Sequence, residues 1–164
     1  MSIAVQIQVK DEGVLAVLGR LALDNDTKHE LLDLIGINES ENTRLRFSDQ
    51  QGPDGVPWEP SLRVKLHGGD TLRDTGRLMN SITHRTGDTY VEVGTNVDYA
   101  AMMHGGGTIH ATGGGYLKFQ IGGAWASKRS VTIPARPFLG LDDEGETEVI
   151  DLIDEFIRTK VFPK

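Results

Sequence analysis

The chain has 164 residues, a length typical of one domain, and is expected to fold as a single domain over residues 1–164. It holds no cysteine, which excludes cysteine nucleophiles, thiolate metal sites and disulfide frameworks and suits a reducing cytoplasm. Twenty-four acidic against 17 basic residues give a formal net charge of −7, which opposes a DNA-binding role built on a cationic surface; no apolar run approaches the roughly 20 residues of a membrane span.

The opening stretch MSIAVQIQVK has no basic leader followed by an apolar run, so a soluble, non-secreted protein is expected. Ile3, Val5, Ile7 and Val9 alternate with polar or small residues at the period of a half-buried strand. Val14, Val17, Leu18 and Leu21 then recur at helical spacing, with Asp11 as N-cap. A second helix is predicted from Asp26 or Thr27, with Leu31, Leu34 and Ile35 on one side. On its residues alone it stops near Gly36, because Asn38, Glu39, Ser40 and Glu41 offer no apolar stripe to bury. Arg44, Arg46, Arg63 and Lys65 are candidates for a local basic patch.

Further along, GPDGVPWEP at 52–60 carries two glycines and three prolines in nine residues, so it reads as stiff and non-helical, with Trp58 packing over an edge of the core or, as the alternative, contacting a partner directly. Asp74 or Thr75 caps a short helix running through Leu78 and Ile82. Residues 81–86 and 89–94 flank Gly87 and Asp88 as a hairpin with a two-residue turn. Tyr99 to Tyr116 reads as a long glycine-rich connection, a protruding contact arm. Leu117, Phe119 and Ile121 form a strand, and Val131 and Ile133 its partner across GGAWASK. The chain ends in an amphipathic helix with Val149, Ile153, Phe156 and Ile157 on one side; Asp142, Asp143 and Glu144 complement its start, and Lys160 and Lys164 its end. The predicted fold is α+β: an antiparallel sheet of about four strands packed with helices, long N-terminal helices, a C-terminal amphipathic helix and a protruding Gly-rich loop.

Chemistry is weakly signalled. HGGG at 104–107 invites comparison with an esterase oxyanion loop, but no G-x-S-x-G is present, which leaves a small hydrolase built around His104 and Ser81 as a remote alternative. His104 and His110 lie six residues apart, outside the spacing of a helical zinc pair. Asp70 with Asp74 and Asp151 with Asp154 read as exposed helix faces, and no phosphate-binding G-x-x-x-x-G-K-[ST] occurs. No catalytic residue, metal or cofactor is therefore assigned, and the chain is read as not an enzyme. Arg136, held between Pro134 and Pro137, suits either an interfacial ion pair or a strand-end arginine closing the fold within its own subunit.

Four segments in order, GPDGVPWEP at 52–60, LRDTGRLMNSI at 72–82, VEVGTNVDYAAMMHGGG at 91–107 and IPARPFLGL at 133–141, together resemble the phage virion morphogenesis family, which includes the tail-completion S protein of P2-type phages and the G protein of Mu-type phages. The resemblance carries over Gly52, Pro53, Gly55, Trp58 and Pro60 from the first segment and Thr75, Gly76, Leu78, Ser81 and Ile82 from the second. From the others it carries Gly94, Tyr99, His104 and Gly105, then Pro134, Arg136, Pro137, Phe138 and Leu139, as family-motif and interface positions. It also implies that TRLRFSDQ at 43–50 ends a long second helix, that Glu39 replaces an apolar residue as a break or a polar face against a neighbouring subunit, and that His104 orders its loop. By the same analogy the chain is a structural virion protein of late morphogenesis, completing the tail or joining head to tail. It would act as a ring of six copies at the neck or tail end, against the tail tube, tail terminator or neck connector proteins. DNA would pass through an acidic bore without specific binding. The location implied is the virion, and the host cytoplasm during assembly; a head-side neck or connector protein is the alternative.

Overall fold

The computed structural model describes residues 3–7, 24–121 and 123–161. Strand β1 (Ile3–Ile7) begins the fold; the helix expected around residues 11–21 lies outside the described residues. Helix α1 (Asn25–Asp49) follows, then α2 (Leu62–His67), α3 (Arg77–Asn80), β2 (Thr83–Thr86), β3 (Val91–Thr95) and α4 (Ala100–Gly105). Strands β4 (Gly107–His110), β5 (Leu117–Ile121), β6 (Ala124–Lys128) and β7 (Ser130–Ile133) lead to α5 (Asp143–Phe156), which ends in a wider turn over Ile157–Val161. The architecture is α+β, with every strand pair antiparallel.

Helix α1 starts one or two residues earlier than predicted: Asp24 is the N-cap, accepting from the Thr27 amide at 2.7 Å. That contact draws the Asp24 carboxyl below its usual range. The helix also runs straight through Gly36. A Cβ there would lie 2.5 Å from the His84 ring and 2.8 Å from Val91, so this glycine lets the sheet approach the helix rather than ending it. The ring is held in place by Asp33, 3.0 Å from His84 Nε2. At the far end Gln50, in the left-handed conformation, caps the helix and binds Thr71 through both ends of its amide.

Two apolar clusters share α1. Leu31 and Ile35 pack with Val91 and with Val149, Ile153 and Phe156 of α5, while Phe47 packs with Trp58, Leu78, Ile82, Val93, Val97, Ala100, Phe138 and Leu139. Between them Glu39, Ser40, Thr43 and Arg46 are buried, so the helix carries two apolar patches joined by a polar band and no continuous stripe. Glu39 is 1% exposed inside its own chain; it is neither a break nor a face for a neighbour. Burial, and then the Glu148 and Asp142 carboxylates, push its pKa up to about 7, with Arg46 acting against them. Glu39 Oε1 and Ser40 Oγ have no hydrogen-bond partner among the described residues.

The central sheet has three strands, in the order β1-β3-β2. The β2–β3 hairpin forms as expected but with a four-residue connection: Thr86 pairs with Val91, and the Gly87 amide donates to the Tyr90 carbonyl at 2.8 Å. Gly87 is needed there because a Cβ would strike the Tyr90 ring at 2.6 Å, not because of its φ. Helix α2, capped by Ser61, was not foreseen, and α3 begins at Gly76 rather than at a side-chain cap on Asp74 or Thr75. The C-terminal helix matches its prediction at its start and along its apolar side, while Lys164 lies outside the described residues: Asp142 accepts from the Gly145 amide at 2.7 Å, and Val149, Ile153 and Phe156 are buried. Lys160 reaches Glu30 at 2.7 Å, so it ties the end of the chain to α1.

The remaining strands make a separate structure. β5 pairs with β6 rather than with β7, and β7 pairs with β4, which lies inside the stretch expected to be a loop. The register runs from Gly107–Ile133 to His110–Ser130, continues through the Ala111 amide to the Arg129 carbonyl, and resumes from Leu117–Lys128 to Ile121–Ala124. Residues 107–121 and 123–133 thus form one long two-stranded ribbon, interrupted by an excursion at 112–116. Ten paired levels at about 3.3 Å each give a length on the order of 30 Å.

Candidate functional site: a knot at the root of a projecting ribbon

Phe138 is fully buried and sits where the four conspicuous segments meet. Its ring lies 5.4 Å from that of Phe47 and 5.1 Å from that of His104, while Trp58 meets Phe47 edge-on at 5.5 Å. The polar groups here are used on backbone. Trp58 Nε1 donates to the Pro137 carbonyl at 2.8 Å, and Arg46 Nη1 to the Phe138 carbonyl at 3.3 Å. His104 Nδ1 accepts from the Phe138 and Leu139 amides at 3.3 and 3.5 Å. Burial lowers the His104 pKa, which keeps the ring neutral and Nδ1 free to accept at neutral pH.

Arg136 is 5% exposed and closes the fold within its own subunit. Its Nε donates to the Glu59 carbonyl at 2.8 Å and its Nη1 to the Pro134 carbonyl at 3.4 Å, while its amide donates to the Met103 and His104 carbonyls. Burial lowers its pKa, opposed by the nearby Glu59 carboxylate. The interfacial alternative for this side chain is thereby displaced: its fork binds carbonyls of the same chain.

The first segment is a tight turn. Gly52 donates to the Val56 carbonyl and Gly55 to the Gly52 carbonyl, Gln51 bridges to Pro57, and Pro53 packs against Gly140; Pro60 remains exposed. In the second segment Leu78 and Ile82 enter the core, Thr75 Oγ1 accepts from the Arg77 amide, and Ser81 Oγ bonds the Leu78 carbonyl and Thr95 Oγ1. Gly94 is buried in the sheet between Ala4 and Thr83. Tyr99, 40% exposed, heads α4. An open groove of about 360 Å³ collects Thr75, Gly76, Leu78, Tyr99 and Arg136 beside Arg63 and Arg77. The HGGG stretch ends α4 and turns into the ribbon: Gly105 is its last residue, and a Cβ at Gly106 would lie 2.6 Å from the Ala135 amide nitrogen. That close approach, rather than an oxyanion site, accounts for the glycine there.

The basic patch does not form. Arg44 pairs with Glu41 and the Ile82 carbonyl, Arg46 is buried, Arg63 binds the Asp70 carbonyl and Asp74, and Lys65 pairs with Glu59. Among the described residues no three or more His, Asp or Glu side chains are grouped as a metal site would require, and no helix is long and apolar enough to cross a membrane.

The pattern of the phage virion morphogenesis family matches residues 9–158, nearly the whole chain. The chain belongs to the phage virion morphogenesis family. It is 35% identical over 96 residues to the Mu-like prophage FluMu G protein 2 of Haemophilus influenzae, an alignment covering 58% of each chain. It is 33% identical over 121 residues, 68% of each chain, to the putative capsid assembly protein G of Escherichia phage Mu. The match thus spans under three fifths of the Haemophilus relative's length. No solved structure matches. Membership places the chain among the proteins of phage virion morphogenesis.

Sequence reasoning missed the ribbon's pairing, the buried Glu39 and Arg46, and Trp125, which is 73% exposed on β6. A signal for the ribbon was present: no carboxylate occurs between Asp98 and Asp142, while Lys118, Lys128, Arg129 and alternating apolar residues do.

Proposed function

We propose that this chain is a single-domain building block of late phage morphogenesis that completes the tail or joins head to tail, as a closed ring of six copies at the neck or tail end. The observation that carries the reading is the projecting ribbon of residues 107–121 and 123–133, whose apolar side chains Ile109, Tyr116 and Trp125 stay 41%, 55% and 73% exposed in a chain of the morphogenesis family. Uncovered apolar surface on a rigid body is what an assembly contact buries. The partners are further copies of the chain and the tail tube, tail terminator or neck connector proteins, met in the host cytoplasm and retained in the virion. The family-motif residues serve by holding the ribbon's root rigid, and the net charge of −7 per copy favours a bore through which DNA slides without sticking.

Imaging of purified particles tests this: six copies at the neck or tail end are expected, and particles lacking the chain would overturn it. A head-side connector is the second reading, favoured by the likeness to the putative capsid assembly protein G of phage Mu, and density on the head side of the neck would select it.

A further inference from the structure

Charge along the chain is sharply divided. The ribbon bears Lys118, Lys128 and Arg129 and no carboxylate, whereas residues 142–155 hold eight carboxylates and no cation. Asp154 of the acidic stretch pairs with Arg158 at 2.8 Å, but other charges on both sides are left without an ion-pair partner among the described residues. Lys118 and Lys128 have no carboxylate partner among the described residues, Arg129 lies over the Tyr116 ring at 5.6 Å, and Asp143 and Glu144 have no cation partner there. Opposed residues of an antiparallel pair share a face, so Trp125 with Gln120, and Lys118 with Ser127, present one surface near the ribbon's tip. Trp125 is more exposed than any other large apolar side chain described.

On the body, Pro53, Asp54 and Gly55 face Leu141, Asp142, Asp143 and Glu144 across an open groove of about 540 Å³, above the roughly 300 Å³ at which pockets admit small ligands. Its walls are fixed by the contact of Gly140 with the Pro53 ring and by the Asp142 cap on α5. The groove thus offers two apolar side chains framed by carboxylates, and the ribbon tip an indole with the Lys118 ammonium on the same face.

We propose that the ribbon tip of one copy docks in this groove of a second copy, with Trp125 between Pro53 and Leu141 and the Lys118 ammonium facing Asp143 and Glu144. The inference rests on the ring reading above and deepens it. Donor and acceptor surfaces differ, so the contact is head-to-tail, the kind that closes into a ring when the rotation between copies permits. It also adds an interfacial role for Pro53 to its packing against Gly140.

The test uses the purified 164-residue chain, which has no cysteine of its own. With Ser127→Cys and Glu144→Cys in one chain, mild oxidation is expected to yield a ladder of covalent oligomers, and either change alone nothing beyond dimers. Trp125→Ala, at an exposed position, and Lys118→Glu should each weaken self-association about tenfold or more, measured by sedimentation. Asp143→Lys with Glu144→Lys should do the same, and combining both charge reversals should restore it. Circular dichroism checks that each variant folds, and Trp125→Ala keeps the test decisive if the helix-start variants do not. Self-association unchanged by Trp125→Ala, with no ladder, overturns the docking while leaving the ring standing. A chain that stays monomeric alone and occurs singly in particles overturns both. Loss of duplex DNA binding as the sole effect of the ribbon variants would make the ribbon a nucleic-acid surface and overturn the inference.

Discussion

Phe138 and Trp125 are large aromatics 13 positions apart; one is fully buried and the other 73% exposed. Around Phe138, each nearby polar side chain is used on the backbone of the same subunit: Trp58 on Pro137, Arg136 on Glu59, His104 on the Phe138 and Leu139 amides. Around Trp125, Lys118 and Lys128 have no carboxylate partner among the described residues, and the strands pack chiefly on each other. The knot is thus finished within one copy, whereas the ribbon has surface still to bury. Segments shared with a family need not mark where its members touch their partners; here most of them lie in the buried knot from which the ribbon leaves.

The comparison breaks first if the knot proves dispensable. Phe138→Ala removes a fully buried ring touching Phe47 and His104, and should cost about 3–5 kcal/mol, read as a lower urea midpoint. Near-native stability would show that the knot is not the structural centre of the fold.

Glu39 comes next in size, and its effect has a definite sign. Its folded-state pKa, about 7, lies above the ordinary 4.5, so the folded protein binds the proton more tightly than the unfolded chain does. Stability is greatest below pH 4.5 as far as this group is concerned, falls as pH rises to about 7, and is level above. The ceiling on that loss is on the order of 3 kcal/mol. Glu39→Gln keeps the shape and removes the ionisation, so the variant should match the parent near pH 4.5 and exceed it at pH 8. Parallel urea-unfolding curves at both pH values would show that the carboxylate is not buried.

That same band explains how much was legible in the sequence. Helix α5 was read correctly because one apolar stripe, Val149, Ile153 and Phe156, faces one neighbour, and Asp142 sits before it as an ordinary cap. Helix α1 was not, because its two halves face different clusters and its middle buries Glu39, Ser40 and Thr43; only the likeness of residues 43–50 to the family pointed to its length. Gly36 looked like a stop because the His84 ring it accommodates comes from 48 residues away. The ribbon was mispaired for a similar reason: the excursion at 112–116 interrupts the alternation, so β4 lost its signal and β7 was matched to the nearer strand. Of the candidate positions, Trp58 was placed by its size, His104 only through the likeness to the family, and Arg136 was left between two roles that only its partners could separate.

A smaller effect probes the wall of the groove. Asp142→Ala removes the side-chain acceptor for the Gly145 amide and should cost about 1 kcal/mol, seen as a modest drop in melting temperature. It also loosens the start of α5 beside Pro53, so self-association should weaken by more than the loss in stability accounts for. A change in melting temperature alone would confine Asp142 to capping.

The smallest expected change in stability is at Trp125, and it bears most directly on the contrast with Phe138. Because the indole is 73% exposed, Trp125→Ala removes little that folding had buried, and the urea midpoint should move by less than about 0.5 kcal/mol equivalent. The same truncation in an assembled particle would empty an interface, where large aromatics carry a disproportionate share of the binding energy. Equal stability with failed assembly is the signature of a side chain built for a partner. A loss of stability comparable to that of Phe138→Ala would mean that the ribbon folds back onto its own body, and the division of labour between knot and ribbon would not stand.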